Sequence, residues 1–257
     1  MSAFTFIYVQ QKQRRNFKTM KKTRKVIFII LEIIFVLLTI YSLYNIYQWY
    51  TENRKTSEIL QSISNSITVD EDNKTVVDFD RLEENNSDII AYIKVNGTEI
   101  NYPVVKADDN DYYLSHSLDK TVNGAGWIFA DYRNKLDGTD KNLIIYGHNR
   151  RDGSMFGTLK NILNKEWYED KNNLKISLHT ENEESTYEVF SVYQLEEEDY
   201  YLQTSFKDKE FLSFVNTLQG RSIKNFNVEV LDHDSILTLS TCANDNRYRV
   251  VLHAKKI

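Results

Sequence analysis

Apolar positions change their period along this chain. Residues 26–44 form an apolar run broken only by Glu32 and a few small hydroxyls. At a rise of 1.5 Å per residue such a run is about 28 Å long, close to the roughly 30 Å hydrocarbon thickness of a bilayer. Residues 51–88 are polar, acidic and poor in large apolar side chains, which include Ile59, Leu60, Ile63, Val76, Val77, Phe79 and Leu82. They predict a helical spacer and a short loop, with helix again at 80–84. From Asp88 onward the period falls to two, the signature of strands with one buried face.

Strands are predicted at Ile89–Val95 and 99–105, joined by an Asn96-Gly97 hairpin turn, then at 124–130, Asn142–Tyr146, 174–180 and 185–195. Three more follow at 226–230, 236–241 and 249–254. The only proline, Pro103, marks an edge or a bulge because it lacks a ladder N–H. Helical turns are expected at Tyr112–Leu114, within 154–163 and at 167–170. One soluble helix is expected over 206–218, where Phe206, Phe211, Leu212, Phe214, Val215 and Leu218 recur at helical spacing. Seven or eight short strands with few helices indicate a mainly β fold, a closed or nearly closed barrel.

Composition sharpens the topology. With 257 residues and 41% hydrophobic content there is material for one good core, and a single cysteine excludes a disulfide framework and a cysteine-rich metal site. The net charge of −5 is unevenly spread: Lys12, Arg14, Arg15, Lys18, Lys21, Lys22, Arg24 and Lys25 precede the apolar run with no acidic residue among them. That flank places the N-terminus in the cytoplasm, and the remainder beyond about residue 50 outside. The run lacks the small-x-small site of a cleaved signal peptide, so it reads as an uncleaved, single-pass anchor in the cell membrane. Met20-Lys21-Lys22 resembles a second translation start, which leaves this topology unchanged. No recognition module accompanies the basic run, so no nucleic-acid partner is expected. The division expected is a basic cytoplasmic segment at 1–25, a transmembrane helix at 26–46, an extracellular helical spacer at 47–87 and a compact β domain at 88–257.

The chemistry concentrates at the end of the chain. Ile236, Thr238 and Ser240 alternate with Leu237 and Leu239, delivering Cys242 to a strand's C-terminal edge. Ala243-Asn244-Asp245-Asn246 reads as a turn, and the valine-rich run that follows can pair back. For the lone cysteine, a small buried hydrophobe and a reactive thiol both remain open. Of five histidines, His116, His179, His233 and His253 read as surface or locally hydrogen-bonded groups. His148 differs: it leaves a strand through Gly147 and stands at a loop mouth. No His, Cys or acidic residue lies at metal-ligand spacing from it, so no metal is expected. A cysteine, a histidine and an arginine together supply a nucleophile, a proton donor and an oxyanion partner for acyl transfer.

These segments resemble the sortase family, most closely its class B members. The resemblance is carried by Thr238-Leu239-Ser240-Thr241-Cys242, the strand beginning at Arg249, and Ile145-Tyr146-Gly147-His148-Asn149 followed by Asp152-Gly153-Ser154-Met155-Phe156. It implies an eight-stranded sortase-type barrel with an N-terminal helical region and an extra helix before the last strands. It also implies Cys242 as nucleophile, His148 as general acid/base and Arg249, rather than the competing Arg247, as the substrate-positioning arginine. Tyr146 and Thr241 become pocket candidates. The implied reaction is cleavage of a C-terminal sorting signal on secreted proteins through a thioacyl-enzyme, resolved by a peptidoglycan cross-bridge or precursor amine. It requires no cofactor and no metal.

Overall fold

The computed structural model describes residues 3–70, 75–196, 198–207, 209–242 and 248–257, and only the backbone of residues 3–19 and of Cys242. The chain divides after Asn53 into two compact units. The first is the greater part of α1 (Ala3–Ile63). Its apolar stretch has a mean hydropathy of 2.8 and is long enough to cross a membrane, with side chains such as Phe35 and Leu37 exposed.

The second unit begins with the last turns of α1. Thr56 and Ile63 are buried there, and Lys55 Nζ lies 3.2 Å from Asp119 Oδ2. Two three-residue strands follow, β1 (Ile67–Val69) and β2 (Thr75–Val77), paired antiparallel. They lie in the stretch read from sequence as helix and loop. Each is too short and too exposed to show an alternation. α2 (Phe79–Glu83) is capped by Asp78, whose carboxylate accepts from Arg81 N at 3.1 Å.

The remaining strands are β3 (Ile89–Val95), β4 (Asn101–Val105), β5 (Phe129–Ala130), β6 (Asn142–Tyr146), β7 (Lys175–His179), β8 (Glu184–Glu196), β9 (Ile236–Cys242) and β10 (Tyr248–Lys256). They close an eight-stranded barrel in the order β10-β8-β7-β3-β4-β5-β6-β9. Neighbours are antiparallel except β4 with β5 and β6 with β9, which are parallel. Closure leaves no free edge to aggregate.

Period-two alternation sorts the side chains between two cores. Leu237, Leu239, Val250, Leu252 and Ala254 enter the cluster that fills the barrel. Ile236 and Val251 point the other way, into a second cluster with Phe190, Tyr201, Phe211, Phe214 and Leu218. After the short α3 (Lys165–Glu169), that second cluster is capped by α4 (Glu210–Arg221). The helix begins four residues later than its apolar spacing predicted because Lys209 is left-handed, at φ +67°. Phe206, outside the helix, still packs 5.2 Å from Phe211 and 4.9 Å from Phe214.

Two expected strands fail. Residues 226–230 alternate Phe226, Val228 and Val230 with polar residues, yet Asn227 has φ +57°, which breaks extension. Their carbonyls meet side chains instead: Val228 O accepts from Gln219 Nε2 and Glu229 O from Lys255 Nζ. The strand expected at 124–130 shrinks to Phe129–Ala130, because Trp127 N donates to the carbonyl of Tyr113, outside any ladder. The turn expected at 243–246 lies outside the described residues.

Candidate active site

The ends of three neighbouring segments converge at one rim of the barrel. β6 and β9 run parallel with Tyr146 beside Ser240, and Gly147 N donates to Ser240 O at 3.3 Å. His148 and Cys242 each stand two residues beyond that pair. On the other side of β9, Arg249 of β10 is the residue paired with Cys242. Adjacent strands lie about 4.8 Å apart. Parallel pairing thus brings residues 94 positions apart in the chain to one rim, flanked by a guanidinium.

A cleft of about 660 Å³ opens at this rim. Its lining includes Tyr146, His148, Thr241 and Arg249, the site candidates other than Cys242, which continues the strand directly from Thr241. Leu114, Phe129 and Leu202 make it partly apolar, and Asn110, Glu198 and Asp199 supply polar groups. Such a volume is within the range of ligand-binding clefts. Arg247 lies outside the described residues.

His148 is held from three directions. Its Nε2 lies 2.8 Å from the carbonyl of Leu114. A carbonyl only accepts, so Nε2 carries hydrogen and the neutral ring keeps its lone pair on Nδ1. The His148 carbonyl accepts from Arg150 N and Phe156 N, fastening the following loop beneath it. Asp152 shapes that loop by accepting from Ser154 N and Oγ and pairing with Arg150 at 3.0 Å. Gly147 is required by the Phe156 ring, which a Cβ would meet at 2.7 Å.

Sequence reasoning missed the groups behind the cleft. Gly126, inside the strand expected at 124–130, leaves room for the imidazole: a Cβ there would lie 2.8 Å from His148 Cδ2. The carboxylate of Asp131 accepts from Tyr146 Oη at 2.8 Å and from two Arg133 nitrogens at 2.8 and 2.7 Å. Burial alone would raise the Asp131 pKa, but these donors outweigh it and hold it below the ordinary carboxylate value. Burial, and then the Asp131 charge, push the Tyr146 phenol up, so it stays protonated. Nothing marked Asp131 among 37 acidic residues. His179 also departs from its surface reading: it is buried, its Nε2 has no hydrogen-bond partner among the described residues, and burial lowers its pKa. Among the described residues no group of three His, Cys, Asp or Glu side chains is placed to hold a metal.

Comparison with known proteins agrees with this architecture. Residues 93–257 match the Sortase domain family. Sortase B of Listeria monocytogenes is 37% identical over 180 residues, covering 68% of this chain and 72% of that protein. Sortase B of Staphylococcus aureus is 35% identical over 185 residues, covering 70% and 74%. The crystal structure of sortase B from Bacillus anthracis superposes with a TM-score of 0.70 at 38% identity, covering 81% of this chain and 97% of that one. The closed barrel, the helix before its last strands and these relatives together show that the chain belongs to the sortase family of cysteine transpeptidases, with class B sortases as its structural neighbours.

Proposed function

We propose that this sortase is membrane-anchored and cleaves the C-terminal sorting signal of secreted proteins through a thioacyl bond to Cys242, then joins the new carboxyl end to a peptidoglycan amine. The observation that carries the reading is the rim itself, with His148, Cys242 and Arg249 on three adjoining segments beside the cleft. The Cys242 thiolate attacks the scissile carbonyl after the signal's threonine, and Arg249 donates to the developing oxyanion. Protonated His148 gives its Nδ1 proton to the leaving amine as the C–N bond breaks. In the second half the incoming amine attacks the thioester, His148 takes its proton, and Cys242 departs as thiolate. The Leu114 carbonyl keeps Nε2 protonated throughout, which reserves Nδ1 for both transfers. Thr241 and Tyr146 line the path of the signal.

The apolar helix supports the membrane part. The proposed division is a cytoplasmic segment at 1–25, a single span at 26–46, a spacer at 47–87 and the extracellular catalytic barrel at 88–257. Anchoring puts the thiol where a protein emerging from secretion and a lipid-linked wall precursor meet.

The test uses the full chain in detergent with a library of sorting-signal peptides and triglycine; one solved sortase B is described as complexed with that tripeptide. Mass spectrometry should find a peptide–triglycine ligation product and an acyl-enzyme, and Cys242→Ala should abolish both. Cleavage that proceeds identically with and without amine, giving only the free acid, would replace transpeptidation with hydrolysis.

A further inference from the structure

The cleft is lined by pieces of chain that are far apart in sequence, and one buried carboxylate reaches three of them. Asp131 follows β5 and is 0% exposed. Its ordinary local role is visible at Oδ1, which accepts from Arg133 N at 3.0 Å in a turn closed by Asn134 N on the Asp131 carbonyl. That turn leaves Oδ2 uncommitted. Oδ2 accepts from Tyr146 Oη at 2.8 Å, from Asn110 Nδ2 at 3.1 Å and from Arg133 Nη2 at 2.7 Å. Tyr146 and Asn110 both line the cleft. Arg133 Nη2 also donates to the carbonyl of Leu202, another residue lining the cleft, at 3.0 Å.

The Leu202 wall depends on such ties. It is a single helical turn, Tyr200–Leu202, between β8 and α4. Asn142 Nδ2 donates to the carbonyls of Tyr201 and Gln203 at 3.3 and 2.9 Å, and Tyr201 Oη shares a hydrogen bond of 2.8 Å with Ser240 Oγ. The barrel thus grips this turn from β6 and β9, and Arg133 grips it from the end of β5.

We propose that Asp131 is a positioning residue for substrate binding: through Tyr146, Asn110 and the Arg133 bridge to Leu202 it holds these three segments of the cleft lining in place relative to one another. Asp131 touches neither the substrate nor the reacting atoms. Its charge orients the guanidinium fork, and the fork holds the turn. A preformed groove spares the peptide the cost of ordering it, so the loss should fall on binding rather than on chemistry. This rests on the transpeptidase reading of the cleft.

The experiment measures steady-state ligation of a sorting-signal peptide to triglycine by the full chain in detergent. Asp131→Asn keeps the shape and removes the charge, and Arg133→Ala, at a side chain 38% exposed, covers the case in which the first variant fails to fold. Each should raise KM for the peptide about 10-fold, the loss expected for a hydrogen bond to a charged group, with kcat within about 3-fold of wild type. A lowered melting temperature with unchanged KM would leave Asp131 a purely structural residue and overturn the proposal, as would kcat falling in step with KM. Ligation by no chain, wild type included, would remove the functional reading instead. Peptide affinity measured by fluorescence anisotropy on Cys242→Ala chains, with and without Arg133→Ala, then decides the positioning role alone. About 10-fold weaker binding supports it, and equal binding overturns it.

Discussion

The imidazole of His148 occupies space that any side chain at position 126 would take. Gly126 has φ +60°, and its missing Cβ would meet Tyr113 O at 2.6 Å as well as the ring. Two of those neighbours cannot give way cheaply, because the Tyr113 carbonyl accepts from Trp127 N and the ring is bonded to Leu114 O. Gly126→Ala should therefore cost about 1–2 kcal/mol of backbone strain and lower kcat/KM about 100-fold by displacing the imidazole. Thermal melts and ligation kinetics on the same preparation separate the two losses. An active variant with only a lowered melting temperature would show that His148 tolerates the shift. In the sequence the glycine was legible only as part of the strand expected at 124–130, not as the wall of a site. Its partner, His148, is 22 residues away, and only the barrel's closure brings them together.

At the scale of elements, a polar seam crosses four strands from β8 to β6. Asn142 spends both amide hydrogens on backbone carbonyls, so its Oδ1 accepts the Thr238 hydroxyl hydrogen at 2.6 Å. Thr238 Oγ1 then accepts from His253 Nδ1 at 2.8 Å, and Nε2 takes the Tyr193 hydroxyl at 2.8 Å. A second proton on this ring would set two donors face to face. Burial drives the His253 pKa down to about 3 from 6.5. The unfolded chain binds that proton below about pH 6.5 while the folded chain refuses it, so stability should fall as pH drops from 6.5 toward 3. The slope is up to about 1.4 kcal/mol per pH unit from this residue. Buried His179, also lowered, adds to the same window. Urea unfolding across this range should show His253→Gln with a shallower decline than wild type; parallel curves would mean the folded chain protonates His253 freely. Strands of this kind were legible because one face is apolar and the other is not, as in 236–241. The segment 226–230 shows the same pattern without being a strand. Its alternation reflects packing, with Phe226 against Tyr168 at 6.4 Å, and a left-handed Asn227 decides the backbone. Periodicity reports which side chains are buried, whereas strand pairing depends on partners that no local window contains.

At the scale of the whole chain, the division into two compact units falls inside α1 rather than at its end. Residues from Arg54 onward belong to the barrel's unit. Lys55 pairs with Asp119 and also bonds Thr121 Oγ1, Thr56 is buried, and Ile63 is 1% exposed within the main core. The sequence reads 51–88 as a spacer that lifts and then docks onto the domain, but its few apolar residues do not mark where the docked part begins. The consequence is a sharp difference between two truncations. A chain beginning at Arg54 should be soluble without detergent, melt cooperatively and ligate soluble peptides with the kcat/KM of the full chain. A chain beginning at Ile67 loses Ile63, about 1.5–3 kcal/mol of burial, together with the Lys55 tie, and should melt at least several degrees lower. Vesicle flotation should recover the full chain with lipid and leave the chain from Arg54 in solution. Equal melting temperatures for the two truncations would mean that the last turns of α1 contribute nothing to the barrel, and flotation of the chain from Arg54 would place the membrane contact on the barrel instead of the helix.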